Sequence, residues 1–116
     1  MPCVLVVDDD DALREAVADA ISDAGYVVEQ AENGRIALDK MRAASPCLVL
    51  LDLMMPVMDG WEVVAEMDGD PSLSNVPVCV VTAQSQLAPP RSACLLKKPV
   101  TLAVLLDTVG QFCKTA

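Results

Sequence analysis

The sequence predicts a doubly wound α/β sandwich, and three of its features lead there. Short apolar runs rich in β-branched residues occur at Val4 to Val7, Cys47 to Leu51 and Val76 to Val81, the pattern of strands buried on both faces of a parallel sheet. Stretches with helical spacing of apolar residues alternate with them. Polar residues follow the runs instead of interrupting them: Asp8 after the first, Asp52 after the second, Thr82 after the third. Right-handed crossovers then lay helices on both faces of the sheet.

The elements follow in chain order. After the first strand, Leu13, Val17, Ala20, Ile21 and Ala24 keep helical spacing, and Gly25 is placed to end that helix. Tyr26 to Ala31 is more mixed in polarity and suits a strand nearer the edge. Arg35 to Arg42 carries a weaker helical pattern. Asp59 is positioned to cap a helix from Gly60 to about Met67. A last strand, Ala93 to Lys97, leads into Lys98 and Pro99. Thr101 then caps a helix whose stripe is Leu102, Leu105, Leu106, Val109, Phe112 and Cys113. Between Thr82 and Lys98, the consecutive Pro89 and Pro90 leave little room for a regular helix, so the helix there is expected to be short, displaced or missing.

A length of 116 residues suits one core, so residues 1–116 are read as a single domain. With 53% hydrophobic and 22% charged residues the composition is globular. No apolar stretch has bilayer-spanning length and no signal peptide precedes Asp8, which points to the cytoplasm. The net charge of −9 argues against nucleic acid and anionic membrane as partners, and suits a basic protein or a bound cation. The five cysteines (Cys3, Cys47, Cys79, Cys94, Cys113) form no C-x-x-C pair, and the chain has no histidine, which argues against zinc. Four of them lie in or beside apolar runs and are read as buried, reduced thiols acting as small hydrophobes.

In an open parallel sheet, function gathers at the carboxyl ends of the strands. There the first strand delivers Asp8 to Asp11, the third Asp52, the fourth Thr82 and the last Lys98. Converging Asp8, Asp9 and Asp52 would repel one another unless positive charge is supplied. Lys98 supplies one unit and a divalent cation two. Oxygen-only ligands favour Mg²⁺, with Mn²⁺ possible. A cation there neutralises the charge that blocks attack on phosphate, making Asp52 a nucleophile for phosphoryl transfer. Lys98 and the Thr82 hydroxyl would donate to the phosphoryl oxygens. Each residue alone has a plain structural reading: Asp10 or Asp11 as a helix cap, Thr82 as a strand end, Lys98 as a surface lysine. An acid ending a run as apolar as Cys47 to Leu51 is harder to explain without a partner.

Over nearly its whole length the chain resembles the receiver domains of bacterial two-component response regulators. Val4-Leu-Val-Val-Asp-Asp is similar to the first strand and acidic pair of that family, and Leu50-Leu-Asp-Leu-Met-Met-Pro-Val-Met-Asp-Gly60 to its phosphoacceptor strand and loop. The resemblance implies a flavodoxin-like sheet of five parallel strands in the order 2-1-3-4-5. It implies Asp52 as phosphoacceptor, and Asp8, Asp9, Asp52 and the Met54 backbone carbonyl as metal ligands. Thr82 and Lys98 become the switch pair, Ala83 the small neighbour that leaves room for phosphoryl, and Pro56, Gly60 and Pro99 structural positions. Lys98-Pro99 is expected to be cis. A histidine kinase or histidine phosphotransfer protein would act upstream and an unknown protein downstream, with the domain a monomer or weak dimer. It would be a signalling domain and not an enzyme, beyond any catalysis of its own phosphorylation and dephosphorylation. Leu95 stands where the family usually has a switch aromatic, which turns attention to other signalling faces, such as the first helix or the Met54 to Asp59 loop. A phosphatase of the haloacid dehalogenase kind would need a second Asp two residues after Asp52, where Met54 stands. An FMN carrier would need a phosphate cradle where four aspartates stand. The remaining alternative is a receiver-fold binding module that works without phosphorylation.

Overall fold

The computed structural model describes residues 3–53, 55, 58–82 and 92–113. Its elements are β1 (Cys3–Val7), α1 (Asp11–Asp23), β2 (Val27–Ala31), α2 (Gly34–Ala43), β3 (Leu48–Asp52), α3 (Gly60–Asp68), β4 (Val78–Thr82), β5 (Cys94–Lys97) and α4 (Leu102–Phe112). All strand pairs are parallel and the sheet order is β2-β1-β3-β4-β5, as the resemblance implied.

Period-two alternation divides the apolar side chains of the central strands between two layers. Leu5, Val7, Val49, Leu51, Val78 and Val80 face α2 and α3, packing on Leu38, Met41, Val63 and Met67. Val4, Val6, Leu48, Leu50 and Cys79 face the other way, against Ile21, Leu105 and Val109 of α1 and α4. Both faces of the sheet are covered, which is why β3 is buried along its whole length. The outer strands β2 and β5 are half-exposed, as edges are.

Local chemistry sets the boundaries. Asp10 caps α1 by accepting from the Leu13 amide, and Gly25, with φ 102°, turns the chain out of the helix in the left-handed region that glycine tolerates. Asn33 caps α2 and Thr101 caps α4. Asp59 and Glu62 form a reciprocal capping box on α3. The run expected as a strand from Val76 begins only at Val78. The Val76 amide closes a turn onto the Leu73 carbonyl at 3.1 Å, and Pro77, with no N–H to give, contributes only its carbonyl to Val49 at 3.0 Å.

The reading of the cysteines as reduced thiols is corrected by the structure. Cys47 is bonded to Cys113 and Cys79 to Cys94, leaving Cys3 as the free thiol. The linear spacing hid both pairs, because the parallel register is what sets Cys94 directly opposite Cys79. Cys3 escapes because it shares the opposite sheet face with Leu5 and Val7. The helix question between Thr82 and Lys98 falls on residues 83–91, outside the described residues. None of the described helices is long and apolar enough to cross a membrane.

Candidate functional site

The carboxyl ends of β1, β3 and β4 lie side by side, and the residues that follow them meet there. Asp52 closes β3 next to Val81 of β4, one residue before Thr82. Asp8 leaves β1 next to the end of β2, its amide donating to the Ala31 carbonyl at 3.2 Å. Oxygens of Asp8, Asp9 and Asp52 lie within 4.8 Å of one another. Asp8 is 7% exposed and Asp52 6%, whereas Asp9 is open to solvent, which leaves the cluster reachable from one side.

Lys98 is brought to this cluster from the far end of the chain. Its ammonium lies 3.4 Å from Asp8 Oδ2 and 3.6 Å from Asp52 Oδ2, so one cation bridges the two least exposed acids. Its backbone is anchored beside β4, the Lys98 amide donating to the Thr82 carbonyl at 2.8 Å. The Lys98-Pro99 bond is cis, as expected. Thr82 is itself buried at the β4 terminus. Three carboxylates against one ammonium leave two negative charges uncompensated, and an all-oxygen donor set fits Mg²⁺ or Mn²⁺. The residues therefore suit the divalent cation that the sequence suggested.

Gly60 supports the site from below. Its amide donates to the Leu53 carbonyl at 3.0 Å, and a Cβ placed on it would come within 2.8 Å of the Leu53 Cα and 3.1 Å of the Asp52 carbonyl oxygen. Only glycine lets α3 start this close to the strand that carries Asp52. Leu95, paired with Val80 on the edge strand, is 38% exposed. Met54, Pro56 and Ala83 lie outside the described residues. Of the methionines expected to crowd the loop, Met55 is buried and Met58 packs against the α2–α3 layer.

Arg14 was missed by the sequence reading. Its guanidinium donates to the Asp8 carbonyl at 2.9 Å and to Gln30 Oε1 at 3.1 Å, and pairs with Asp11 at 2.8 Å. It ties the β1–α1 turn to β2 and so holds the acidic loop in place. The Asp11–Arg14 spacing of three on a helix was the signal for it. A half-open cavity of about 400 Å³ also adjoins the cluster, lined by Asp8, Asp52 and Lys98 on one side and by apolar residues such as Val17 and Leu105 on the other.

An acidic cluster at the carboxyl edge of a 2-1-3-4-5 sheet is the arrangement of CheY-like domains. The chain belongs to the response regulator receiver domain family, whose model matches residues 4–109. It is a signalling domain of the two-component kind. It is 42% identical over 87 residues to the response regulator MprA of Mycolicibacterium vanbaalenii, covering 73% of this chain and 36% of that protein. The chain thus spans about a third of the relatives of this kind that it matches. Among solved structures, it is similar to chemotaxis response regulator CheY4 of Vibrio cholerae, at 31% identity and a TM-score of 0.84 over 97% of this chain and 99% of that one. It is also similar to TrrA of Thermotoga maritima, in complex with Mg²⁺ and BeF, at 29% identity and a TM-score of 0.86 over 97% of this chain and 100% of that one.

Proposed function

We propose that residues 1–116 act as one Mg²⁺-dependent aspartyl-phosphate switch that accepts its phosphoryl group on Asp52. The observation that carries this reading is the nearly buried Asp52 carboxylate, 3.6 Å from the Lys98 ammonium and clustered with Asp8 and Asp9. An acid so placed on a fully buried strand costs stability unless a counter-charge offsets it, and three clustered acids exceed what the single Lys98 ammonium can offset.

Asp8, Asp9, Asp52 and the Met54 carbonyl would hold Mg²⁺ or Mn²⁺, which when bound supplies the positive charge that lets phosphate approach carboxylates. The chain's own residues do the rest. An Asp52 oxygen forms the new P–O bond as the phosphorus–nitrogen bond of a phosphohistidine donor breaks. Lys98 donates to the phosphoryl oxygens and offsets their charge, and the Thr82 hydroxyl donates from the adjacent strand end. Ala83 would be the small neighbour that the family resemblance assigns to this position. The donor is a histidine kinase or a histidine phosphotransfer protein, and the setting is the cytoplasm. A protein of unknown identity reads the output. With Leu95 lacking an aromatic ring to bury, the signal leaves by another face, such as α1 or the loop before α3.

Intact-mass spectrometry of the native chain and Asp52→Ala, each incubated with acetyl phosphate with and without Mg²⁺, tests this. A single phosphoryl adduct that needs both Mg²⁺ and Asp52 is expected. No adduct on a folded, Mg²⁺-binding chain would overturn the switch and favour a binding module independent of phosphorylation.

A further inference from the structure

Four of the five cysteines lie in one of the two core layers, the one between the sheet and helices α1 and α4, and there they form two bonded pairs. Small hydrophobes scattered for packing have no reason to pair so completely. The pair Cys79–Cys94 joins register partners on β4 and β5, with Cα atoms 4.6 Å apart. These two strands carry the groups proposed to hold phosphoryl: Thr82 lies three residues beyond Cys79, and Lys98 four beyond Cys94. The edge strand β5 has four residues, none of them fully buried, and pairs on one side only, with β4, so it is the strand with least packing to hold it beyond its ladder and the covalent link.

We infer that Cys79–Cys94 is a reversible redox switch that sets how firmly Lys98 is held at the acidic cluster. The inference rests on the proposed function and adds a second input to the same site. The structure holds the pair closed; a reducing glutathione pool opens it to the dithiol, and oxidising conditions close it again. Closure runs by thiol–disulfide exchange with a small disulfide such as oxidised glutathione. Cys94, half-buried on the edge strand, attacks as thiolate after losing its proton and releases one glutathione thiolate. Cys79, fully buried behind it, loses its proton and displaces the second. Two cysteine thiols and one glutathione disulfide become one protein disulfide and two glutathione thiols.

The oxidised domain presents Lys98 pre-positioned beside Asp8 and Asp52, and the reduced domain must order β5 first. The test equilibrates the native chain across a series of reduced-to-oxidised glutathione ratios, maps the disulfides by mass spectrometry, and measures Mg²⁺ and Mg²⁺–beryllofluoride affinity by calorimetry. Circular dichroism confirms that both end states are folded. Cys79–Cys94 is expected to open and close reversibly within the series, and the oxidised form to bind beryllofluoride about fivefold more tightly, the lower end of coupling between linked sites. Cys79→Ala with Cys94→Ala is expected to lose the redox dependence, and Cys47→Ala with Cys113→Ala to keep it. Equal affinities in the two redox states, or a pair that never forms, overturns the switch. If beryllofluoride binds neither form, the phosphoryl reading fails instead, and the Mg²⁺ affinities of the two redox states decide the redox inference alone.

Discussion

Lys98 lies 3.4 Å from Asp8 and 3.6 Å from Asp52, and its ammonium is the positive charge that lets those acids share a nearly buried corner. Lys98→Met leaves both carboxylates without this cation and is expected to cost about 2 kcal/mol, below the fully buried case because the lysine is partly exposed. Urea unfolding measures it, and added Mg²⁺ should recover much of the loss. Asp52→Asn removes two repulsions and one attraction, so without metal it should stabilise by about 1 kcal/mol. The same change should weaken Mg²⁺ binding, so that Mg²⁺ raises the melting temperature of the native chain more than that of the variant. Asp70 offers a pH test away from the site. Hydrogen bonds from Ser72 and then Arg42 hold its carboxyl below the ordinary 3.8. A depressed folded value means that its contribution is present at neutral pH and is lost as acid passes below 3.8 and through the lowered value. Ser72→Ala should move the Asp70 titration, followed by NMR, upward toward 3.8.

The start of α3 links local chemistry to the site. Its capping box was half visible in the sequence: Asp59 stood out, while the reciprocal Glu62 emerged from the helix geometry. Asp59→Ala should cost about 1 kcal/mol. Gly60→Ala forces a methyl against Leu53 and is expected to cost about 2 kcal/mol by overpacking. The two losses differ in kind. The cap variant should keep its Mg²⁺ affinity, whereas the glycine variant pushes on the strand that positions Asp52 and should weaken it; calorimetry separates them. Strand boundaries were less legible. Val76 is as apolar and β-branched as Val78, yet it belongs to a turn because Pro77 removes the donor that would extend the ladder back to it.

Across the whole molecule, the disulfides join positions far apart in sequence. Cys47–Cys113 spans 66 residues and fastens the end of α4 to the start of β3, while Cys79–Cys94 spans 15. In the loop-entropy account the longer closure stabilises by about 4 kcal/mol and the shorter by about 3. Double alanine variants of each pair, melted under oxidising conditions, should lose stability in that order. Under excess dithiothreitol the native chain should fall below both.

The alternation of buried strand and amphipathic helix, the caps at Asp59 and Thr101, and the acid, hydroxyl and lysine ending successive strands were all written in linear order. Each depends on near neighbours or on periodicity, and the parallel sheet gathers whatever its strands deliver at one edge. The cysteine pairs, the anchoring of the acidic loop by Arg14 and the exposure of Leu95 depend on register and on which face a side chain takes. A parallel register is a relation between strands that are distant along the chain. One residue of slip would turn Cys94 to the opposite face from Cys79, so only the packed fold could decide that they meet.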